Sequence, residues 1–182
     1  MIWALSALST LGFALIFVLA LCAPSIGLGR FWPPEKAPSW QHTSFRLLFR
    51  LGLYPLVAVS AILARDVGIR LPALGLSLVA IGLGAALMFT GKLGWKQAFG
   101  AAEGLVTTGP YAYSRNPVYV ATWVAVLGWA ICLPYAPVLL PLGLWAILYL
   151  IAPFLEEPWL EEKFCAPFVE YKKTTPRFFF GL

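Results

Sequence analysis

The chain has 182 residues, 60% of them hydrophobic and 12% charged, with a mean hydropathy of +0.81. This balance excludes a disordered or collagen-like chain and is too apolar for one soluble domain with a water-facing shell. Lys and Arg number 13 against 8 acids, a net charge of +5, which in so apolar a chain points to an anionic lipid surface rather than to nucleic acid.

A bilayer core about 30 Å thick takes about 20 helical residues per crossing. No charge interrupts residues 1–29, so a first span is predicted from Ile2 to about Cys22, before Pro24, Gly27 and Gly29. The run lacks a basic leader, and Leu19-Ala20-Leu21-Cys22 places a bulky Leu where a cleavage site needs a small residue, so the helix is expected to be retained. Residues 51–64 form an uncharged run of only 14. They make a second span if Arg46 and Arg50 snorkel at one end and Arg65 at the other. Residues 71–90 give a third span, with Pro72 in its first turn and Gly75, Ala80, Gly82, Gly84 and Ala85 suited to close helix contact. Residues 116–155 are uncharged and would be about 60 Å long as one helix. Leu133-Pro134-Tyr135-Ala136-Pro137 divides them into a hairpin of two spans.

The predicted fold is an all-α membrane protein of about five transmembrane helices in a single domain over residues 1–182. Residues 1–90 hold three spans, and residues 91–182 hold a polar loop, the helical hairpin and an interfacial tail. With five spans the termini lie on opposite sides. Arg30, Lys36, Arg46, Arg50, Lys92, Lys96, Arg115, Lys163, Lys172, Lys173 and Arg177 then share one side, leaving Arg65 and Arg70 on the other. The basic-rich side belongs in the cytoplasm. The N-terminus is expected outside, with residues 91–115 and 156–182 meeting on the cytoplasmic face. Cys22, Cys132 and Cys165 have no paired spacing and His42 stands alone, so neither a disulfide framework, a metal site nor a His-based triad is indicated.

Two polar segments could carry chemistry. The first runs from Gly104 through Gly109-Pro110-Tyr111 to Ser114-Arg115-Asn116-Pro117-Val118-Tyr119. Gly109-Pro110 makes a turn, and Asn116-Pro117 reads as an N-cap followed by a first-turn proline. A helix N-terminus there would offer free N–H groups and a positive dipole to an anion, beside Arg115. An aromatic belt, a snorkelling Arg and a cap also account for each residue singly. The second segment begins with Glu156-Glu157-Pro158-Trp159-Leu160. Two carboxylates at the end of a membrane helix call for a partner, unless Pro158 starts a new helix whose first turn welcomes acids. Beyond it, Leu160, Phe164, Phe168 and Tyr171 recur as an amphipathic stripe that Pro167 must kink or interrupt. Core or membrane contact is the default for that stripe.

The order of these pieces resembles the isoprenylcysteine carboxyl methyltransferase and phospholipid methyltransferase superfamily of integral membrane enzymes. The pieces are Gly109-Pro110-Tyr111, Arg115-Asn116-Pro117 with Tyr119, the hairpin, Glu156-Glu157 with Leu160, Phe164, Tyr171, and Pro176-Arg177. Asn116 stands where many members have His, Cys165 where the pattern has Gly, and Phe168 where it has Tyr. The resemblance covers about residues 90–178. It implies S-adenosylmethionine as cofactor, with S-adenosylhomocysteine as product, and a lipid or prenyl-like acceptor. It further implies cofactor binding by Gly109, Tyr111, Asn116, Tyr119, Glu156 and Glu157, and catalytic roles for Arg115, Glu157 and Arg177, with no metal. Methyl transfer from a sulfonium is an in-line displacement that asks mainly for alignment and exclusion of water. Head-group N-methylation and carboxylate O-methylation both remain open, as does a non-catalytic five-helix membrane scaffold or small-ligand binding protein.

Overall fold

The computed structural model describes residues 1–34, 39–98 and 104–179; Lys36, counted above among the basic residues, lies outside them. The described residues form α1 (Ile2–Cys22), α2 (Trp40–Val67), α3 (Pro72–Leu93), the short α4 (Trp95–Ala98), a 3-10 turn (Gly109–Ala112), α5 (Pro117–Cys132) and α6 (Ala136–Thr174). Helices α1, α2, α3 and α6 are long and apolar enough to cross a membrane, and α5 is a shorter apolar helix of 16 residues. Between 22 and 33% of the apolar window in each long helix is buried inside the protein. The rest of that surface needs an apolar solvent, and a lipid bilayer is one.

The second helix is twice the length of the uncharged run that announced it. It starts at Trp40, where the Ser39 hydroxyl accepts the His42 backbone N–H at 3.3 Å, an N-cap contact that fixes the helix start. Arg46 and Arg50 lie inside the helix because arginine is a good helix former. The uncharged run measured apolar length, not helix length.

The helices pack as two units. In the first, α1 crosses α2 closely: the Ser9 hydroxyl donates to the Gly52 carbonyl at 2.5 Å, and a Cβ on Gly12 would stand 2.5 Å from the Gly52 nitrogen. The upper part of α6 completes this core, with Phe13 stacked on Trp145 at 5.8 Å beside buried Leu56, Val59 and Leu142. In the second unit α3 and α5 run antiparallel. Gly75 meets Cys132 and Gly128, and Gly82 meets Ala121 and Ala125. Of the five small residues expected to permit close contact, Gly75 and Gly82 are the buried ones, whereas Ala80 and Gly84 are exposed. Seven residues is two helical turns, so only the first pair shares the face turned to α5.

The hairpin breaks where its prolines predicted, between Cys132 and Ala136. The expected end at Leu155 is not there. Helix α6 continues through Pro153 and Pro158, so Glu156 and Glu157 sit within a helix rather than at the end of one or the start of the next. A proline removes one backbone bond without necessarily ending a packed helix. The break comes instead at Cys165, with φ 49° and ψ −130°, two residues before Pro167. That conformation suits glycine and costs an L-residue about 1 to 3 kcal/mol, and glycine is what the resembling pattern carries at this position. Cys165→Gly is therefore expected to stabilise the protein by about 1 kcal/mol after the greater unfolded-state freedom of glycine is counted. A lowered midpoint in detergent unfolding would contradict this.

Candidate functional site

The two polar segments, far apart in sequence, meet at one end of the helices. The chain after α6 lies along the start of α5: the Arg115 N–H donates to the Pro176 carbonyl at 2.9 Å, and the Ser114 hydroxyl and the Asn116 amide both donate to the Arg177 carbonyl at 3.2 Å. Asn116 occupies the N-cap position with Pro117 after it, as expected, but its side chain caps nothing. Its φ of −130° and ψ of 52° depart from the extended geometry that turns a capping oxygen onto the helix. The side chain ties down the C-terminal strap instead.

Beneath this strap lies a compact ion cluster. Arg115 donates to Glu157 Oε1 from Nη2 at 2.7 Å and from Nε at 3.3 Å. Arg177 donates from Nε to Oε1 at 2.9 Å and from Nη2 to Oε2 at 2.7 Å. The remaining Arg115 nitrogen donates to the carbonyls of Thr175 and Lys172, and Lys172 Nζ stands 4.0 Å from Glu157 Oε2. Hydrogen bonding to Glu157 pushes the Arg177 guanidinium above the usual arginine range. Glu157 is 5% exposed, and all three side chains expected to be catalytic are brought together here as partners of one another. Each of the three Arg115 side-chain nitrogens is thus engaged within the protein.

Glu156, its neighbour, points elsewhere. Its Oε1 accepts from Tyr119 at 2.5 Å and from the Trp32 indole at 2.7 Å, leaving Oε2 without a partner among the described residues. A cavity of about 70 Å³ adjoins it, lined by Asn116, Tyr111, Glu156 and Glu157 with apolar Leu105, Val106, Leu160 and Phe164. The amphipathic stripe forms one wall, since Phe168 and Tyr171 line the same cavity and are buried. The Tyr171 hydroxyl donates to the Tyr111 carbonyl, and burial, reinforced by Tyr171 and Glu156, pushes the Tyr111 phenol well above its ordinary value. Gly109 is not in the lining; it opens the 3-10 turn at φ 65°, a conformation that favours glycine.

On the other side of the Tyr119–Glu156–Trp32 bonds lies a second cavity of about 660 Å³. It fills the cleft between the α1–α2 pair and the α3–α5 pair, with α6 behind. Tyr119, Trp32 and Tyr149 line it, so Glu156 is reached from the small cavity directly and from the large one through its hydrogen-bonding partners. Ser114 and Lys172 lie in the polar segments without being singled out there, and Trp32 and Tyr149 carry no signal of a site in the sequence. Trp32 lies 124 positions from Glu156, in an irregular segment where no periodicity signals a contact.

The phospholipid methyltransferase family model matches residues 71–166, just over half of the chain. The chain belongs to the phospholipid methyltransferase family. Comparison with curated proteins and comparison with solved structures each return no match. The phospholipid methyltransferase match spans α3, the polar loop, α5 and α6 as far as the break at Cys165. It therefore includes Asn116, Tyr119, Glu156 and Glu157. Helices α1 and α2, Trp32, and the strap carrying Arg177 lie outside it. Membership places the chain in the superfamily of membrane methyltransferases that the ordered motifs resemble, and agrees with its long apolar helices.

Proposed function

We propose that this chain is an S-adenosylmethionine-dependent methyltransferase that methylates the head-group amine of a membrane lipid. One observation carries the reading: Glu156 sits on the partition between a small polar-ended cavity and a large apolar one, with one carboxylate oxygen unpartnered among the described residues. A methyltransferase for lipids needs a soluble donor and a lipophilic acceptor to meet at such a partition.

The residues around the small cavity fit the cofactor in kind. Glu156 Oε2 suits its ammonium or ribose hydroxyls, Asn116 and Tyr111 supply polar contacts, and Leu105, Val106, Phe164 and Phe168 supply apolar walls for its base. Open space of 70 Å³ is below the roughly 300 Å³ or more of ordinary ligand sites. Binding of the whole molecule therefore requires the cavity to widen; Gln97, which lines it, donates to the Gly104 carbonyl. When bound, the cofactor supplies a methyl group already activated on a sulfonium.

The protein's own groups do the rest. Trp32 and Tyr119 fix the orientation of Glu156. The Arg115–Glu157–Arg177 cluster positions the strap over the start of α5 and so closes the site from water. On the acceptor side, the rings of Trp32, Tyr119 and Tyr149 offer faces to a head-group ammonium. The proton shed by the amine passes to Glu156 Oε1 through the Tyr119 hydroxyl. Basic residues crowd this end of the helices, which supports a cytoplasmic site with the N-terminus outside.

Calorimetric titration with S-adenosylhomocysteine tests the cofactor assignment. The purified protein is expected to bind it, and Glu156→Gln to bind at least tenfold more weakly while unfolding at a similar midpoint. Absence of binding by the parent protein would leave a helical membrane scaffold without cofactor chemistry.

A further inference from the structure

Helix α2 lies outside the residues shared with the family, yet it carries the charged part of the large cavity. Arg46 and Arg50 are the only charged side chains that line the cavity among the described residues; no acid does. The two stand one helical turn apart on the same face. Arg50 has no ion pair or hydrogen bond among the described residues. Their neighbours fix their level along the cavity. Phe45 stacks on Trp32 at 4.2 Å, Trp32 holds Glu156 at 2.7 Å, and Phe49 packs edge-on against Trp145 at 5.7 Å. Arg46, next to Phe45, is therefore level with the end of the cavity that adjoins Glu156, and Arg50, next to Phe49, stands one turn further along it; mostly apolar side chains of the other helices line the remainder.

A cavity with an apolar body and two positive charges toward one end is complementary to an amphiphile with an anion at the junction of chain and head group. A guanidinium matches phosphate oxygens with paired donors and is more effective beside apolar walls than in water. We propose that Arg50, assisted by Arg46, binds the phosphate of a phospholipid acceptor whose acyl chain occupies the large cavity, placing the head-group amine at Trp32, Tyr119 and Glu156. The assignment rests on the methyltransferase reading for its acceptor role. It makes α2 the specificity element, selecting acceptors that carry a phosphate between chain and amine.

The test uses the full chain in detergent and three radiolabelled probes with one common acyl chain: lysophosphatidylethanolamine, the monoacylglycerol, which lacks phosphate, and the free fatty acid, which offers a carboxylate. The parent protein is expected to bind lysophosphatidylethanolamine at least tenfold more tightly than the monoacylglycerol. Arg50→Gln should bring the two within about twofold, and Arg50→Lys should keep part of the preference. S-adenosylhomocysteine affinity should be unchanged in both variants, which also reports that they are folded. Retention of the full preference by Arg50→Gln, no preference in the parent, or tighter binding of the fatty acid would each overturn the phosphate site. A parent protein that prefers the phospholipid through Arg50 yet binds no S-adenosylhomocysteine would overturn the methyltransferase reading and leave the phosphate site standing.

Discussion

Glu157→Gln is expected to cost about 3 to 5 kcal/mol of stability, the range for removing one partner from a buried ion pair. The side chains of Arg115 and Glu157 are 9% and 7% exposed, and that of Arg177 is 22% exposed, so the two guanidiniums left behind would have little water to replace the carboxylate. The strap would loosen as well, because Arg115 links Glu157 to the carbonyls of Lys172 and Thr175. Glu156→Gln makes the contrast. The amide oxygen of Gln can still accept from Trp32 and Tyr119, so stability should change by less than about 1 kcal/mol, whereas the charge offered to a bound cation is lost. Equilibrium unfolding in mixed micelles measures both variants. A loss below about 1 kcal/mol for Glu157→Gln would mean that the cluster does not hold the strap.

Gly82→Leu is expected to cost about 3 kcal/mol or more, at the upper end of the range for overpacking. A Cβ on Gly82 would stand 2.4 Å from the Ala125 nitrogen and 2.7 Å from the Ala121 oxygen. These are backbone atoms and cannot rotate aside, so α3 and α5 would have to separate. At Gly84, two residues on, an added Cβ would meet nothing within 4 Å, and Gly84→Leu should be neutral within about 0.5 kcal/mol. Equal midpoints for the two variants in thermal unfolding would show that α3 is not seated on α5 at Gly82.

These contrasts also mark how much is legible in the sequence. The hairpin break is readable because Pro134 and Pro137 cannot sit inside a regular helix and no charge competes with the signal. Gly82 and Gly84 look alike in the sequence, since which of two glycines faces a neighbour depends on where that neighbour lies. The start of α2 is hidden because arginine is both a helix former and a charge: Arg46 and Arg50 look like the edge of a span when they lie inside a helix. In the sequence Glu156 and Glu157 form one feature, adjacent acids near a helix end. On a helix, adjacent residues point about 100° apart, and here one joins the two arginines while the other faces Trp32 and Tyr119. No spacing rule could supply Trp32, which comes from an irregular segment in the first fifth of the chain. The family match covers the residues of the small cavity except Phe168 and Tyr171, and none of α2, so the acceptor side is the part for which the three-dimensional arrangement matters most.

The most direct measurement is incubation of the purified protein with S-adenosylmethionine carrying a labelled methyl group, in vesicles containing phosphatidylethanolamine, followed by identification of labelled lipids. Label on the head-group nitrogen, lost in Glu156→Gln and retained in Gly84→Leu, is the expected result. Cofactor bound by the parent protein with no label in any lipid, or label recovered as a methyl ester of a carboxylate, would contradict head-group N-methylation.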